Sequence, residues 1–582
     1  MTAFSLYPWL FQIRQITTLR QAQGKRLSVS LILLCLALWL TACQSLPPNP
    51  RFSHAQPMTT VHSATANAHL ANNSTGNLTG NKAIFQPIKT DLIERISRSN
   101  NPNPKTLSGY YPLLDSTDAF ASRSILSQMA TQSIDIQYYI WHNDASGQLL
   151  LKDLYDSANR GVKVRLLLDD LNTNPALDQQ LLAFASHPNI QVRLINPKAV
   201  RSFTPANFVL ALPRYQHRMH NKSMTFDHQL SIIGGRNIGD EYLRNDTDNE
   251  FADLDVLLAG KMVGDVEASF EQYWQSELAY DIENLVKPID PNEPVSPIRS
   301  AFLRQLNKLA PNYGSQLVNS SQLYRVTNGA VIDQKLLHKK VNFRWQPIYF
   351  FADDVKKLRN QDVKSSRLVN QLRTKLGTPK HEFSIISSYF VPSPLGVAQL
   401  QQLANDGVKI RILTNSFDAT DVPIVHAGYS ESRPALLKSG IDLYELKSDA
   451  NPDFREKKRN FTRDTGNTSL HTKAFAVDDK YTFIGSYNVD PRSANINTEL
   501  GVVIADPVLA NAVHRAFDDD LLKISYRLSL TDNQHLNWHT YPSPSASQSN
   551  PTLQTKTKEP RISRLNALWI KVFAGLPIDW LL

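Results

Sequence analysis

The stretch His220-Asn221-Lys222-Ser223-Met224-Thr225-Phe226-Asp227, with Gly234-Gly235-Arg236-Asn237 after it, decides how this chain is read. The pattern returns as His471-Thr472-Lys473-Ala474-Phe475-Ala476-Val477-Asp478, followed by Gly485-Ser486-Tyr487-Asn488. In each copy the Asp stands five residues after the Lys, and the glycine turn seven residues after the Asp. A lone His-x-Lys pair carries little weight, because a single histidine is more often structural than catalytic. Two copies in register, 251 residues apart, have no simple structural explanation. Alternation along a strand puts His220 and Lys222 on one face, and His471 and Lys473 likewise.

Outward from these motifs, two further blocks recur in the same order. Ile134–Tyr139 and Phe383–Phe390 are strand-like, and each is followed by a helical stretch, Leu149–Ala158 and Val397–Ala404. Gly161-Val162-Lys163-Val164-Arg165-Leu166-Leu167 returns as Gly407-Val408-Lys409-Ile410-Arg411-Ile412-Leu413, with five of seven residues identical. Blocks that keep their order over about 100 residues mark a duplication. Strand, helix and β-branched strand in succession predict an α/β fold, with a largely parallel buried sheet in each half and helices on both faces. The glycine before each second strand fits a helix C-cap. Asp169-Asp170, after an apolar strand, read as a helix cap.

The chain has 582 residues, of which 42% are hydrophobic and 20% charged, a globular composition spread over more than one domain. Both cysteines, Cys35 and Cys43, lie near the N-terminus, which excludes a disulfide framework or thiolate metal site in the body. The net charge is +9; without Arg14, Arg20, Lys25 and Arg26 of residues 1–42 it is +5, mild for a body this size and no nucleic-acid signature. The expected boundaries are an export signal over 1–42, a flexible tether over 43–105 and a first domain over 106–285. A connector follows over 286–345, then a second domain over 346–525. A polar tail with an amphipathic helix ends the chain over 526–582.

At the N-terminus, Lys25-Arg26 precede an apolar run, Leu27–Leu40, that stops at Leu40-Thr41-Ala42-Cys43. A spanning helix needs about 20 apolar residues, so the run is short for that and fits an export signal. Its end resembles the lipobox of bacterial lipoproteins. The resemblance implies cleavage before Cys43, acylation there, and a cell-envelope protein facing the periplasm. Gln44 after the cysteine leans toward the outer membrane. Each buried acyl methylene adds about 0.8 kcal/mol to such anchoring.

Phosphodiester exchange needs a nucleophile, a proton donor for the leaving alkoxide and cations for the non-bridging oxygens. Two imidazoles supply the first two roles, since an ordinary pKa of about 6.5 lets one be neutral while the other is protonated. Lys222 and Lys473 supply charge, and Asn237 and Asn488 neutral donors. Neither motif has the carboxylate-rich pattern of a two-metal phosphodiesterase. We expect no catalytic metal and no cofactor.

The chain resembles the phospholipase D superfamily, whose hallmark is this H-x-K-x4-D motif with G-[GS]-x-N, present twice. It is most similar to bacterial cardiolipin synthases of the C type, through Arg218–Ser223, Gly235–Tyr242, Val425–Tyr429, Asp490-Pro491-Arg492-Ser493 and Leu576-Pro577-Ile578-Asp579. The resemblance implies two tandem α/β/α sandwich domains related by a pseudo-twofold axis, with one active site at their interface. It implies a phosphohistidine on His220, with His471 as general acid and then base. It places Lys222, Asp227, Lys473 and Asp478 in the catalytic sets. It also implies that Glu499 orients His220 and Asp253 orients His471 across the halves. The substrates implied are phospholipids at a membrane surface: phosphatidylglycerol, with phosphatidylethanolamine as a candidate second lipid, and no nucleic acid. A hydrolase releasing phosphatidic acid would use the same residues, as would a phosphodiesterase nuclease.

Overall fold

The computed structural model describes residues 49–52, 92–201, 207, 215–244, 249–288, 300, 302, 304, 341–450, 467–518, 520–542 and 552–562. Cys43 with the export segment, and the amphipathic stretch from 563 on, lie outside the described residues.

In chain order the first half contributes β1 (Ser108–Leu113), β2 (Ser133–Tyr138), β3 (Lys163–Asp169), β4 (Ile190–Ile195), β5 (Ser223–Phe226), β6 (Leu230–Gly234), β7 (Asn249–Ala252), β8 (Asp255–Gly260) and β9 (Ala279–Asp281). Next come β10 (Arg344–Gln346), β11 (Ile348–Ala352), β12 (Glu382–Ser387), β13 (Lys409–Asn415), β14 (Asp442–Leu446), β15 (Asn467–Leu470) and β16 (Lys473–Val477). The rest are β17 (Tyr481–Gly485), β18 (Leu500–Ile504), β19 (Ser525–Leu530), β20 (Leu536–Thr540) and β21 (Gln554–Lys556). One sheet runs β10-β1-β8-β6-β5-β2-β3-β4-β9 and the other β11-β18-β17-β16-β12-β13-β14-β19-β20-β21. From β1 to β9 and from β11 to β19 the order is the same, strand for strand, so the duplication is one of topology.

Within these sheets only β2–β3–β4 and β12–β13–β14 pair in parallel. The expectation of a largely parallel sheet is therefore corrected to a mixed one. Loop length is the reason. Parallel neighbours need a crossover of a dozen or more residues, which the helices Ala145–Asn159 and Pro394–Asn405 provide. β5 and β6 are joined by Asp227-His228-Gln229 alone, so they form an antiparallel hairpin, as do β16 and β17.

Local chemistry sets the helix ends. Asn174, Ser393, Asp490 and Asp506 each accept a backbone N–H and are followed by a proline at the first helical position. Asn174 rather than Asp169 or Asp170 thus caps the helix after β3. Gly161 and Gly407 take φ of +101° and +90° where the helices turn into β3 and β13.

Two segments expected to lie outside the folded halves carry structure. In the tether region Leu92–Arg98 is a helix whose Ile93 and Ile96, one turn apart, are buried. In the tail region β20 buries Trp538 and Thr540, an alternation its polar composition hides, and β21 extends the sheet beyond it. The halves meet through an apolar cluster that includes Ile233, Val256 and Leu258 of one sheet and Ile484, Leu500 and Val502 of the other. Tyr110 Oη donates to Asp506 (2.6 Å), which also pairs with Arg344, across the same seam.

Candidate active site

Each motif histidine sits on a backbone segment stitched to the opposite half. β7 and β15 pair in parallel, and His471 N donates to Ala252 O (2.8 Å). On the other side Met219 bridges Thr498 in parallel, and His220 N donates to Thr498 O (2.9 Å). These two crossings exchange places under the pseudo-twofold relation.

The side chains cross as well. His220 Nδ1 lies 2.8 Å from Glu499 Oε2, and His471 Nδ1 lies 2.6 Å from Asp253 Oδ2. Both carboxylates are fully buried, and the imidazoles nearly so. Nδ1 engagement fixes each ring and leaves Nε2 as the nitrogen for chemistry. Glu499 is itself held by Ser486 Oγ and by Ser493 Oγ (2.8 Å), and its own N–H donates to Asp353 (3.0 Å).

The glycine turn differs between the copies for a steric reason. A Cβ on Gly235 would stand 2.2 Å from Asp253 Oδ1. In the second copy Ser486 fills that position, and its hydroxyl donates to the longer Glu499.

Both lysines are buried beside their histidines. Lys222 Nζ donates to His220 O (2.7 Å) and lies 5.5 Å from the Tyr139 ring centroid. Lys473 Nζ donates to His471 O and to Ser388 Oγ (3.1 Å). Burial pushes Lys222 down to about 7 and lowers Lys473. Burial, then the lysines, lower both histidines well below their ordinary value. Burial also pushes Glu499 up to about 7 and raises Asp253. The lysine of each half acts on the histidine of the other, and His220 acts on His471, so the two motifs share one electrostatic environment.

Asn237 Oδ1 accepts from Ile140 N (3.2 Å), and its buried Nδ2 has no acceptor among the described residues. Asn488 Oδ1 accepts from Ser388 Oγ (2.9 Å). Aromatic rings wall the cleft: Tyr139 edge-on at 4.9 Å from His220, Tyr242 at 5.1 Å and Phe251 at 5.2 Å from His471.

Asp227 and Asp478 stand at the far ends of β5 and β16, away from the histidines. Asp227 accepts from Thr131, Gln132 and Ser133 backbone N–H at 2.7–3.1 Å. Asp478 does the same with Lys380, His381 and Glu382. Their φ of +48° and +50° close the hairpins. Both carboxylates anchor the start of the neighbouring strand.

Asp169 has a place the sequence did not reveal. Its Oδ2 accepts from Met219 N (2.9 Å) and its Oδ1 from Arg218 Nη1 (3.1 Å), which pins the segment entering His220. Burial pushes its carboxyl up to about 6 against the pull of Arg218. Among the described residues two groups have metal-ligand chemistry, Asp135/His228/Glu267 and His142/Asp144/Glu241; neither contains a motif histidine. The cleft thus offers two imidazoles held by carboxylates at Nδ1, two buried lysines and amide donors, a set suited to a phosphodiester.

A family model described as "Cardiolipin synthase, PLD-like domain" matches residues 125–274 and 372–521. Cardiolipin synthase C of Escherichia coli is 38% identical over 474 residues, covering 81% of this chain and 96% of that protein. An uncharacterized protein of Helicobacter pylori is 34% identical over 470 residues, covering 78% of this chain and 84% of the relative. Cardiolipin synthase 2 of Staphylococcus epidermidis is 23% identical over 401 residues, covering 69% and 65%.

Proposed function

The chain belongs to the cardiolipin synthase family of phospholipase D-like proteins, and from that premise we propose that it is a phosphatidyltransferase making cardiolipin from phosphatidylglycerol and a second phospholipid. The observation that carries this reading is the crossed pairing of His220 with Glu499 and His471 with Asp253. It gives one cleft two oriented imidazoles.

In the first step His220 Nε2 attacks phosphorus, the P–O bond to the headgroup alcohol breaks, and His471 gives its proton to the departing oxygen. In the second step His471 takes a proton from the free hydroxyl of phosphatidylglycerol. That oxygen bonds to phosphorus as the P–N bond breaks. In this reading Lys222, Lys473, Asn237 Nδ2 and Asn488 hold the non-bridging oxygens, and each such donor contributes on the order of 10²–10³ in rate. Water is the competing acceptor, and the aromatic walls support its exclusion.

The reading includes the membrane. No helix among the described residues is long and apolar enough to cross a bilayer. We place the body at a membrane surface, held by acylated Cys43 of a cleaved lipoprotein precursor, with the outer membrane favoured by Gln44.

The test is expression in a bacterial strain lacking cardiolipin, followed by lipid mass spectrometry, alongside incubation with labelled phosphatidylglycerol. Restored cardiolipin is the expected result. Phosphatidic acid alone would replace the synthase reading with a hydrolase.

A further inference from the structure

The two halves place matching lysines and carboxylates against their histidines, but the segment after each glycine turn carries different charges: Gly239, Asp240 and Glu241 in one copy stand where Asp490, Pro491 and Arg492 stand in the other. Counting from the asparagine of each glycine turn, the fourth residue is Glu241 after Asn237 and Arg492 after Asn488. Both lie in the first turn of a short helix, Asp240–Leu243 and Pro491–Asn495. A single position of the repeat thus carries −1 in one copy and +1 in the other.

Each adjoins a segment that serves a different histidine. Glu241 precedes Tyr242, whose ring packs edge-on against His471. It pairs with His142 (3.0 Å), and Asp144 stands 3.9 Å from the same imidazole, so this corner stays net acidic even with His142 charged. Arg492 Nη2 donates to Gln216 O (2.6 Å), on the segment that leads into His220. Asp490, the neighbouring acid, is occupied as the cap that accepts from Ser493 N (2.7 Å).

We propose that Glu241 and Arg492 are the positioning residues that break the symmetry of the two-histidine cleft, so that the shared proton rests on His471 and the neutral His220 attacks phosphorus. The proposal rests on the phosphohistidine reading above. The other charged groups on the two rings come in matched pairs, whereas the neutral contacts differ: the Ser486 backbone bonds His220, and Phe251 packs on His471. His220 meets Lys222, Lys473, His471, Glu499 and Tyr139. His471 meets Lys473, Lys222, His220, Asp253 and Tyr242. Matched groups shift both imidazoles alike and cannot assign roles. Arg492 further lowers the proton affinity of His220, whereas Glu241 raises that of His471. The proton delivered in the first step leaves His471 Nε2 as the P–N bond forms on His220, and returns from the acceptor hydroxyl in the second, so no net proton is consumed.

The test uses full-length enzyme and micellar phosphatidylglycerol, with kcat followed against pH. Both Glu241→Gln and Arg492→Gln should lower the peak rate severalfold. The optimum should move acid-ward by about half a unit in Glu241→Gln and alkaline-ward by a similar amount in Arg492→Gln. Glu241→Asp and Arg492→Lys should keep the wild-type optimum. Damage to folding lowers the rate without displacing the optimum in opposite senses. Shifts of the same sign, or none, would overturn the proposal. A wild-type enzyme that forms no phosphohistidine would instead overturn the underlying reading, an outcome scored before any variant is made.

Discussion

Two lysines buried next to two imidazoles lower the proton affinity of both rings, and this has a measurable consequence at the level of single residues. The lysines hold both histidines below their ordinary value, and burial holds Lys222 near 7. A tetrahedral oxyanion between them reverses the sign of that field and favours the protonated forms. Binding of dimethyl phosphate, a phosphodiester whose charge does not change near neutral pH, should therefore take up protons, up to about one per site, measurable as alkalinisation of a weakly buffered solution. Proton release would contradict histidines held down by the neighbouring lysines. Gly235→Ala should cost about 10–100-fold in kcat, the usual scale for disturbing an orienting partner, because the added methyl displaces Asp253 from His471. Ser486→Ala should cost less, since Glu499 keeps its contacts to His220 and Ser493. The motif histidines, lysines and asparagines were legible because the sequence states them twice. Asp253 and Glu499 entered only through the family resemblance, and the contacts to His471 and His220 are present. Asp169 was not legible, because its partners Arg218 and Met219 come from an irregular segment about 50 residues on and leave no periodic trace.

At the scale of elements, the hairpins β5–β6 and β16–β17 deliver the motifs, and their turns hold β2 and β12 in place. Asp227→Asn should destabilise the protein by about 1–3 kcal/mol, since an amide nitrogen would face backbone donors, while the asparagine still accepts the positive φ. Asp478→Asn should cost less because that carboxylate is more exposed. Against the opposing effect of burial, donation from Glu382, His381 and Lys380 holds Asp478 below the ordinary carboxylate range. Its contribution is thus present at neutral pH and disappears as the pH falls through that lowered value. Thermal melts of the variant and wild type, converging in acid, check this. Element order was readable from the repeats; the N-caps Asn174, Ser393, Asp490 and Asp506 were not read, although a proline follows each. Strand direction was misread, because β-branched runs say that a strand is buried without saying which way its neighbour points. β20 was missed because its inward residues alternate with polar ones in a segment of tail-like composition.

Across the whole molecule, the apolar seam of Ile233, Val256, Ile484 and Val502 fixes the two sheets against each other. The histidine-bearing segments then cross that seam in pairs, so neither half holds a complete site. Single-residue substitution at His220 or His471 should lower turnover by orders of magnitude while leaving the fold intact. The most direct measurement is rapid quenching during turnover of a phospholipid labelled at its phosphodiester phosphorus, followed by peptide mapping under alkaline conditions. A phosphohistidine route predicts an acid-labile, base-stable label on the peptide containing His220, which forms within one turnover and decays when phosphatidylglycerol is added. Turnover with no label at any quench time, or label on a residue other than His220, would contradict it.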